Sequence, residues 1–96
     1  MNDFTAHILI VDDDDGIRSL IKQYLDQNNF LVTTSHSAEN AEEKILIIKF
    51  DLIVLDIMMT GKNGLDFIKD NKSKIDTPII LLTAKAETQD RVGGLE

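Results

Sequence analysis

Short apolar runs alternate along this chain with segments in which apolar residues recur every three or four positions. Residues 8–11, 52–55 and 79–82 are unbroken apolar runs with the length of a buried strand. After the first run, apolar residues fall at the spacing of one helix face. They are Ile17, Leu20, Ile21, Tyr24 and Leu25. The pattern predicts strands separated by amphipathic helices.

The full pattern predicts an α/β domain. The predicted strands cover residues 7–12, 30–34, 51–56 and 79–83. The predicted helices cover 14–28, 38–49 with Ser37 as its N-cap, a short stretch that contains Leu65, Phe67 and Ile68, and the start of a last helix within 87–96. Strands joined by crossovers of helix length form a parallel sheet with helices on both faces. We therefore expect residues 1–96 to belong to a single domain.

Composition narrows the classes of function. The 96 residues carry a net charge of −7, which argues against a surface that grips nucleic-acid phosphates. The absence of cysteine excludes a disulfide framework and a thiolate metal site. The apolar runs are too short for a membrane span or a signal-peptide core. These features predict a soluble, cytoplasmic domain that makes no membrane contact.

Four consecutive acids, residues 12–15, follow the first apolar run, residues 8–11. Carboxylates ~4 Å apart repel each other by roughly 4 kcal/mol at an effective dielectric near 20, and a hard cation such as Mg²⁺ relieves that repulsion. The alternative is a helix N-cap, a common role for aspartate. Asp56 and Thr83 end the third and fourth strands. Because ligands bind beyond the carboxyl ends of parallel strands, these residues should meet Asp12 and Asp13 at one rim.

Several motifs, in their order and spacing, closely resemble the receiver domain of bacterial two-component response regulators. They are the stretches 8–13 (ILIVDD), 52–56 (LIVLD) and 80–84 (ILLTA), together with Gly61 and Gly64. The resemblance covers residues 7–96. It implies a flavodoxin-like (CheY-like) doubly wound fold with strand order 2-1-3-4-5.

The resemblance also implies a role for each residue that matches a family motif. Asp56 is expected to accept a phosphoryl group from a sensor histidine kinase, and Thr83 to hydrogen-bond the phosphoryl oxygens. Asp12, Asp13 and Asp56 are expected to hold Mg²⁺ together with the backbone carbonyl of Met58. Asp12 would orient a bound water, because Mg²⁺ keeps several waters.

Neighbouring residues receive structural interpretations instead. Asp14 and Asp15 are interpreted as helix caps. His7 and His36 lack partner acids at metal-ligand spacing and are interpreted as surface residues. Met58 and Met59 are expected to contribute side-chain packing rather than chemistry.

The chain departs from the family pattern in two ways. Thr60 stands where proline is usual, which is expected to loosen the loop without affecting any ligand. The fifth strand, with its phosphate-binding lysine, and the fifth helix are missing, so the domain is expected to be incomplete at its C-terminus. Residues 90–96 resemble the fourth helix of the OmpR/PhoB winged-helix branch, in which Arg91 and Val92 would join an activation-dependent dimer face. An exposed helix end is the alternative.

The resulting hypothesis is a phosphorylated switch rather than an enzyme, although it would assist its own phosphoryl transfer and dephosphorylation. It would control an effector outside this sequence, expected to bind DNA and regulate transcription. A Mg²⁺-dependent aspartyl phosphatase is one alternative, but such enzymes need an acid where Met58 stands. A non-phosphorylated interaction module is the other, and it would be expected to lose the acids retained here.

Overall fold

The computed structural model describes residues 4–82, which form a four-stranded parallel sheet with helices on both faces. The sheet order is β2-β1-β3-β4. The elements are β1 (His7–Val11), α1 (Asp15–Gln27), β2 (Leu31–Ser35), α2 (Ala38–Ile45), β3 (Leu52–Asp56), α3 (Gly64–Asn71) and β4 (Ile79–Leu82). The predicted fold class and the order of the first four strands are confirmed. The predicted helix within 87–96 lies outside the described residues.

Each helix begins at a polar cap. The Asp14 side chain accepts a hydrogen bond from the Ile17 N–H at 2.9 Å, which confirms its predicted capping role. Ser37 Oγ accepts from the Asn40 N–H at 3.0 Å, also as predicted. The third cap, Asn63, accepts from the Asp66 N–H at 2.9 Å. These oxygens satisfy amide donors that have no partner inside the helix, so they determine where each helix starts.

The second helix ends earlier than predicted. Hydrophobic periodicity extended it to about residue 49, but α2 stops at Ile45. Beyond it, Leu46 and Ile47 are exposed, whereas Phe50 is only 3% exposed and joins the core. The chain leaves the helical path because Phe50 packs against the sheet, and that tertiary contact outweighs the local pattern.

The core has two parts of unequal size. The larger cluster lies between the sheet and the helices α2 and α3, and it includes Leu9, Leu55 and Phe67. The smaller cluster, on the α1 face, has Ile8, Ile10 and Val54 at its centre. Helix α1 contributes no fully buried residue to it. The described part of this face is therefore the more thinly covered of the two.

Apolar surface also remains exposed along β4, the last strand of the described sheet. Ile80 and Leu81 are 51% and 38% exposed, and β4 pairs with β3 alone in that sheet. Exposed apolar side chains on an edge strand favour association with further structure. No helix within residues 4–82 has the length and apolar character needed to cross a bilayer.

Candidate functional site

The candidate site lies at the carboxyl ends of β1 and β3. The parallel register pairs Val11 with Leu55, so the residues that follow, Asp12 and Asp56, emerge at the same edge of the sheet. Asp13 lies next to them. One carboxylate oxygen from each of these three residues lies within 4.8 Å of the other two. The structure therefore brings together the three acids that the sequence placed at one rim.

Asp12 is the buried member of this carboxylate cluster, with 2% of its surface exposed. Its Oδ1 accepts a hydrogen bond from the Asp14 N–H at 2.9 Å, and its backbone carbonyl accepts one from the Arg18 guanidinium at 2.8 Å. Burial raises the pKa of Asp12 above its usual range. The charges of Asp56, Asp13 and Asp14 add to that rise, although the Asp14 N–H opposes it. The cluster thus favours the arrival of a proton or a cation.

Asp13 is exposed, and its Oδ2 accepts two hydrogen bonds from one residue across the site. The Thr60 N–H donates to it at 2.9 Å and the Thr60 hydroxyl at 2.7 Å. The expectation that Thr60 leaves every ligand untouched is therefore wrong. A threonine keeps the backbone donor that a proline lacks and adds a hydroxyl. The presence of Thr60 in place of the expected proline was visible in the sequence, but it did not indicate a contact with Asp13.

Asp56 ends β3 and is partly exposed. Its Oδ1 accepts a hydrogen bond from the Met58 N–H at 3.0 Å, which orients the carboxylate and the turn that follows it. The prediction of a packing role holds for Met59, which is 7% exposed, but is wrong for Met58, which is 54% exposed. Met58 instead lines an open cavity of about 590 Å³ beside Asp13 and Thr60.

The loop between β3 and α3 is held close to β3 by Gly64. A Cβ atom at Gly64 would lie 2.7 Å from the Asp56 carbonyl oxygen and 2.8 Å from the Ile57 Cα, both of which are backbone atoms. The Gly64 N–H donates to the Ile57 carbonyl at 3.0 Å. Only glycine permits this approach, so Gly64 determines how α3 sits behind the site.

A cluster of charged residues anchors the same loop to two helices. The Lys62 ammonium contacts Glu42 of α2 and Asp70 of α3, each at 2.5 Å. Asn71, which is 2% exposed, donates to Glu42 at 2.8 Å. Hydrogen bonds to Asp70 and Glu42 raise the pKa of Lys62 above its ordinary value. Sequence reasoning did not identify this ion-pair cluster, because its members are far apart along the chain.

Three sequence-predicted site residues, Thr83, Arg91 and Val92, fall outside the described residues. The two histidines lie within them. His7 is not a simple surface residue, since its Nε2 lies 2.6 Å from Thr33 Oγ1 and its ring contacts the edge of a neighbouring aromatic ring. His36 is exposed, as expected.

The donor set of the carboxylate cluster suits a hard divalent cation. Mg²⁺ prefers oxygen ligands, carboxylates among them. One carboxylate oxygen from each of the three acids lies within 4.8 Å of the other two, so the cluster offers such ligands close together. The residues that are present therefore fit the ion that the sequence predicted.

A doubly wound parallel sheet with an acidic site at its carboxyl edge defines a class of protein, and the comparisons place the chain within it. The profile of the response regulator receiver domain family matches residues 8–96. The chain belongs to this family and is the receiver domain of a two-component response regulator. Domains of this kind receive signals from histidine kinases and are linked to effector domains.

Curated relatives and solved structures agree with that assignment. The chain is 49% identical over 90 residues to protein PetR of Rhodobacter capsulatus, covering 94% of this chain and 38% of PetR. It is 44% identical over 89 residues to the transcriptional regulatory protein CpxR of Escherichia coli, covering 93% and 38%. The receiver domain of the Francisella response regulator 1452 aligns with a TM-score of 0.80 at 32% identity, covering 95% and 76%. The chain thus spans less than half the length of these curated relatives.

Proposed function

We propose that this receiver domain is switched by phosphorylation of Asp56. The observation that carries the proposal is the convergence of Asp12, Asp13 and Asp56, whose carboxylate oxygens lie within 4.8 Å of one another. Three neighbouring negative charges repel one another and do not stabilise a fold, whereas phosphoryl transfer needs a nucleophile and charge stabilisation at one point.

The proposed reaction uses an oxygen of Asp56 as the nucleophile. It attacks the phosphorus of a phosphohistidine on the sensor kinase, a P–O bond forms as the P–N bond breaks, and the leaving imidazole takes up a proton. The Met58 N–H, which donates to Asp56 Oδ1, orients the carboxylate for that attack. Thr83 would hydrogen-bond the phosphoryl oxygens of the product. The domain is a regulatory phosphoacceptor that assists its own phosphorylation and dephosphorylation rather than an enzyme that turns over a separate substrate.

Mg²⁺ is the proposed cofactor. Asp13 and Asp56 would ligate it directly, Asp12 through a water, and the Met58 carbonyl would complete the protein ligands. When bound, the ion would offset negative charge on the transferring phosphoryl group. The buried Asp12, whose pKa is raised chiefly by burial, supports the need for a positive charge at this point.

Intact-mass analysis tests the phosphoacceptor. The full natural protein is treated with a small-molecule phosphodonor and Mg²⁺, and wild type should gain one phosphate whereas Asp56→Asn should not. The matched control is Asp51→Asn, which alters an exposed aspartate just before the opposite end of the same strand. A phosphate adduct on Asp56→Asn at the yield of wild type would move the acceptor to another residue.

We further propose that the phosphorylated domain controls a DNA-binding effector in the rest of the natural protein. Support comes from relatives named as transcriptional regulatory proteins, such as CpxR, of which this chain matches 38%. The net charge of −7 makes the receiver itself a poor ligand for DNA.

Arg91 and Val92 are proposed to join a homodimer face on activation. Sedimentation with and without beryllofluoride, compared between wild type and Arg91→Ala, tests that face.

A further inference from the structure

Thr60 lies across the site from Asp13, and its contact with Asp13 restricts the orientation of the Asp13 carboxylate as well as holding the loop in place. Thr60 directs both of its hydrogen-bond donors, the backbone N–H and the hydroxyl, at the single oxygen Asp13 Oδ2. Two donors on one oxygen restrict the rotation of the Asp13 carboxylate, one oxygen of which lies within 4.8 Å of an oxygen of Asp12 and of Asp56. An exposed aspartate without such restraint would sample several rotamers.

Thr60 is itself held in position. Two residues further along the same loop, Lys62 contacts Glu42 and Asp70 on two different helices. The turn at Gly61 between them has a φ of +76°, a left-handed conformation suited to glycine. Asp13 is therefore oriented from a loop that is anchored on α2 and α3, and not only by the segment between β1 and α1 that contains it.

We propose that Thr60 is a positioning residue for the metal site: its two donors hold Asp13 in the rotamer that binds a hard divalent cation. This inference rests on the proposed Mg²⁺ site. Carboxylates that ligate metals are commonly hydrogen-bonded by such partners, and loss of a partner weakens metal binding by about 10–100-fold. A proline at this position, the residue that the family resemblance leads us to expect, would have neither donor.

Isothermal titration of the full natural protein with MgCl₂ tests the proposal. Thr60→Val keeps the shape and the backbone N–H but removes the hydroxyl, so the Mg²⁺ dissociation constant should rise by about tenfold. Thr60→Ser restores the hydroxyl and should return the constant to within about threefold of wild type. The melting temperature measured in EDTA reports any general loss of stability.

The matched control is Thr77→Val. Thr77 lies just before β4 at the opposite edge of the sheet, where its hydroxyl donates to the Phe50 carbonyl at 3.2 Å. Its loss should leave Mg²⁺ affinity unchanged. Equal affinities for wild type and Thr60→Val, or tighter binding by the variant, would overturn the positioning role. If wild type itself binds no Mg²⁺, or Asp13→Asn binds as well as wild type, the proposed metal site fails instead.

Discussion

Replacing Asp13 with asparagine should raise the free energy of unfolding in the absence of Mg²⁺ and lower it, relative to wild type, in the presence of Mg²⁺. The amide keeps an oxygen that can accept the hydrogen bonds from Thr60 but removes one negative charge from the carboxylate cluster. At 4.8 Å, the outer limit of the oxygen–oxygen distances, two charges repel by about 3.5 kcal/mol at an effective dielectric of 20 and by about 0.9 kcal/mol in bulk water. Because Asp13 is exposed, we expect the variant to gain about 1 kcal/mol in the free energy of unfolding without metal.

With Mg²⁺ the order should invert. An ion that binds only the folded state contributes RT ln(1 + [L]/Kd), about 2.7 kcal/mol at a hundredfold excess over Kd. Wild type should receive that contribution, and Asp13→Asn should lose most of it. For a domain of this size, 1 kcal/mol corresponds to a change of about 4–8 °C in Tm, so both shifts are measurable.

The assay is thermal unfolding of wild type and variant in EDTA and in saturating MgCl₂. Asp76→Asn is the control, because it removes an exposed negative charge near the opposite edge of the sheet and should shift Tm equally in both buffers. The same ranking of wild type and Asp13→Asn in both buffers would refute the reasoning. So would an equal Mg²⁺-induced shift in the two proteins.

Two further predictions concern the surroundings of the site. Gly64→Ala should lower the free energy of unfolding by about 1–3 kcal/mol, because its Cβ would meet backbone atoms of residues 56 and 57. Gly16→Ala should cost less, because its Cβ would meet the end of a side chain, Asp14 Oδ1 at 3.3 Å, rather than backbone; denaturant unfolding checks both. Burial raises the pKa of Glu42, but the hydrogen bonds from Lys62 and Asn71 outweigh it and hold that pKa below its usual 4.5. Glu42 thus contributes stability that is present above pH 4.5 and lost as pH falls through the lower folded-state value. Glu42→Gln should therefore reduce the loss of unfolding free energy on acidification, and unfolding curves measured between pH 3 and 6 check this.

The sequence predicted the parts of the fold that depend on local pattern. Unbroken apolar runs located β1, β3 and β4 to within a residue or two, and Asp14 and Ser37 were recognised as caps because capping is a contact between near neighbours. The end of α2 was misplaced, since Phe50 leaves the helical path for a contact with the distant sheet. Such contacts have no local signature.

The same difference between local patterns and contacts of distant residues holds at the candidate site. Asp12, Asp13 and Asp56 could be grouped in advance because parallel strands bring their carboxyl ends to one edge. The contact from Thr60 to Asp13 spans 47 positions, and no periodicity encodes it. The Lys62 cluster likewise joins residues from a loop and two helices. What escaped prediction is the set of side chains that hold the acids, rather than the acids themselves.

Because β1 and β3 are paired in register, the relative position of Asp12 and Asp56 depends on the number of residues in each strand. Val11 pairs with Leu55, so each strand delivers its aspartate one step beyond that pair. Deletion of one residue within β3 would move Asp56 by about 3.3 Å and turn its side chain to the opposite face of the sheet. Insertions or deletions within these two central strands should therefore be among the changes that this domain tolerates least.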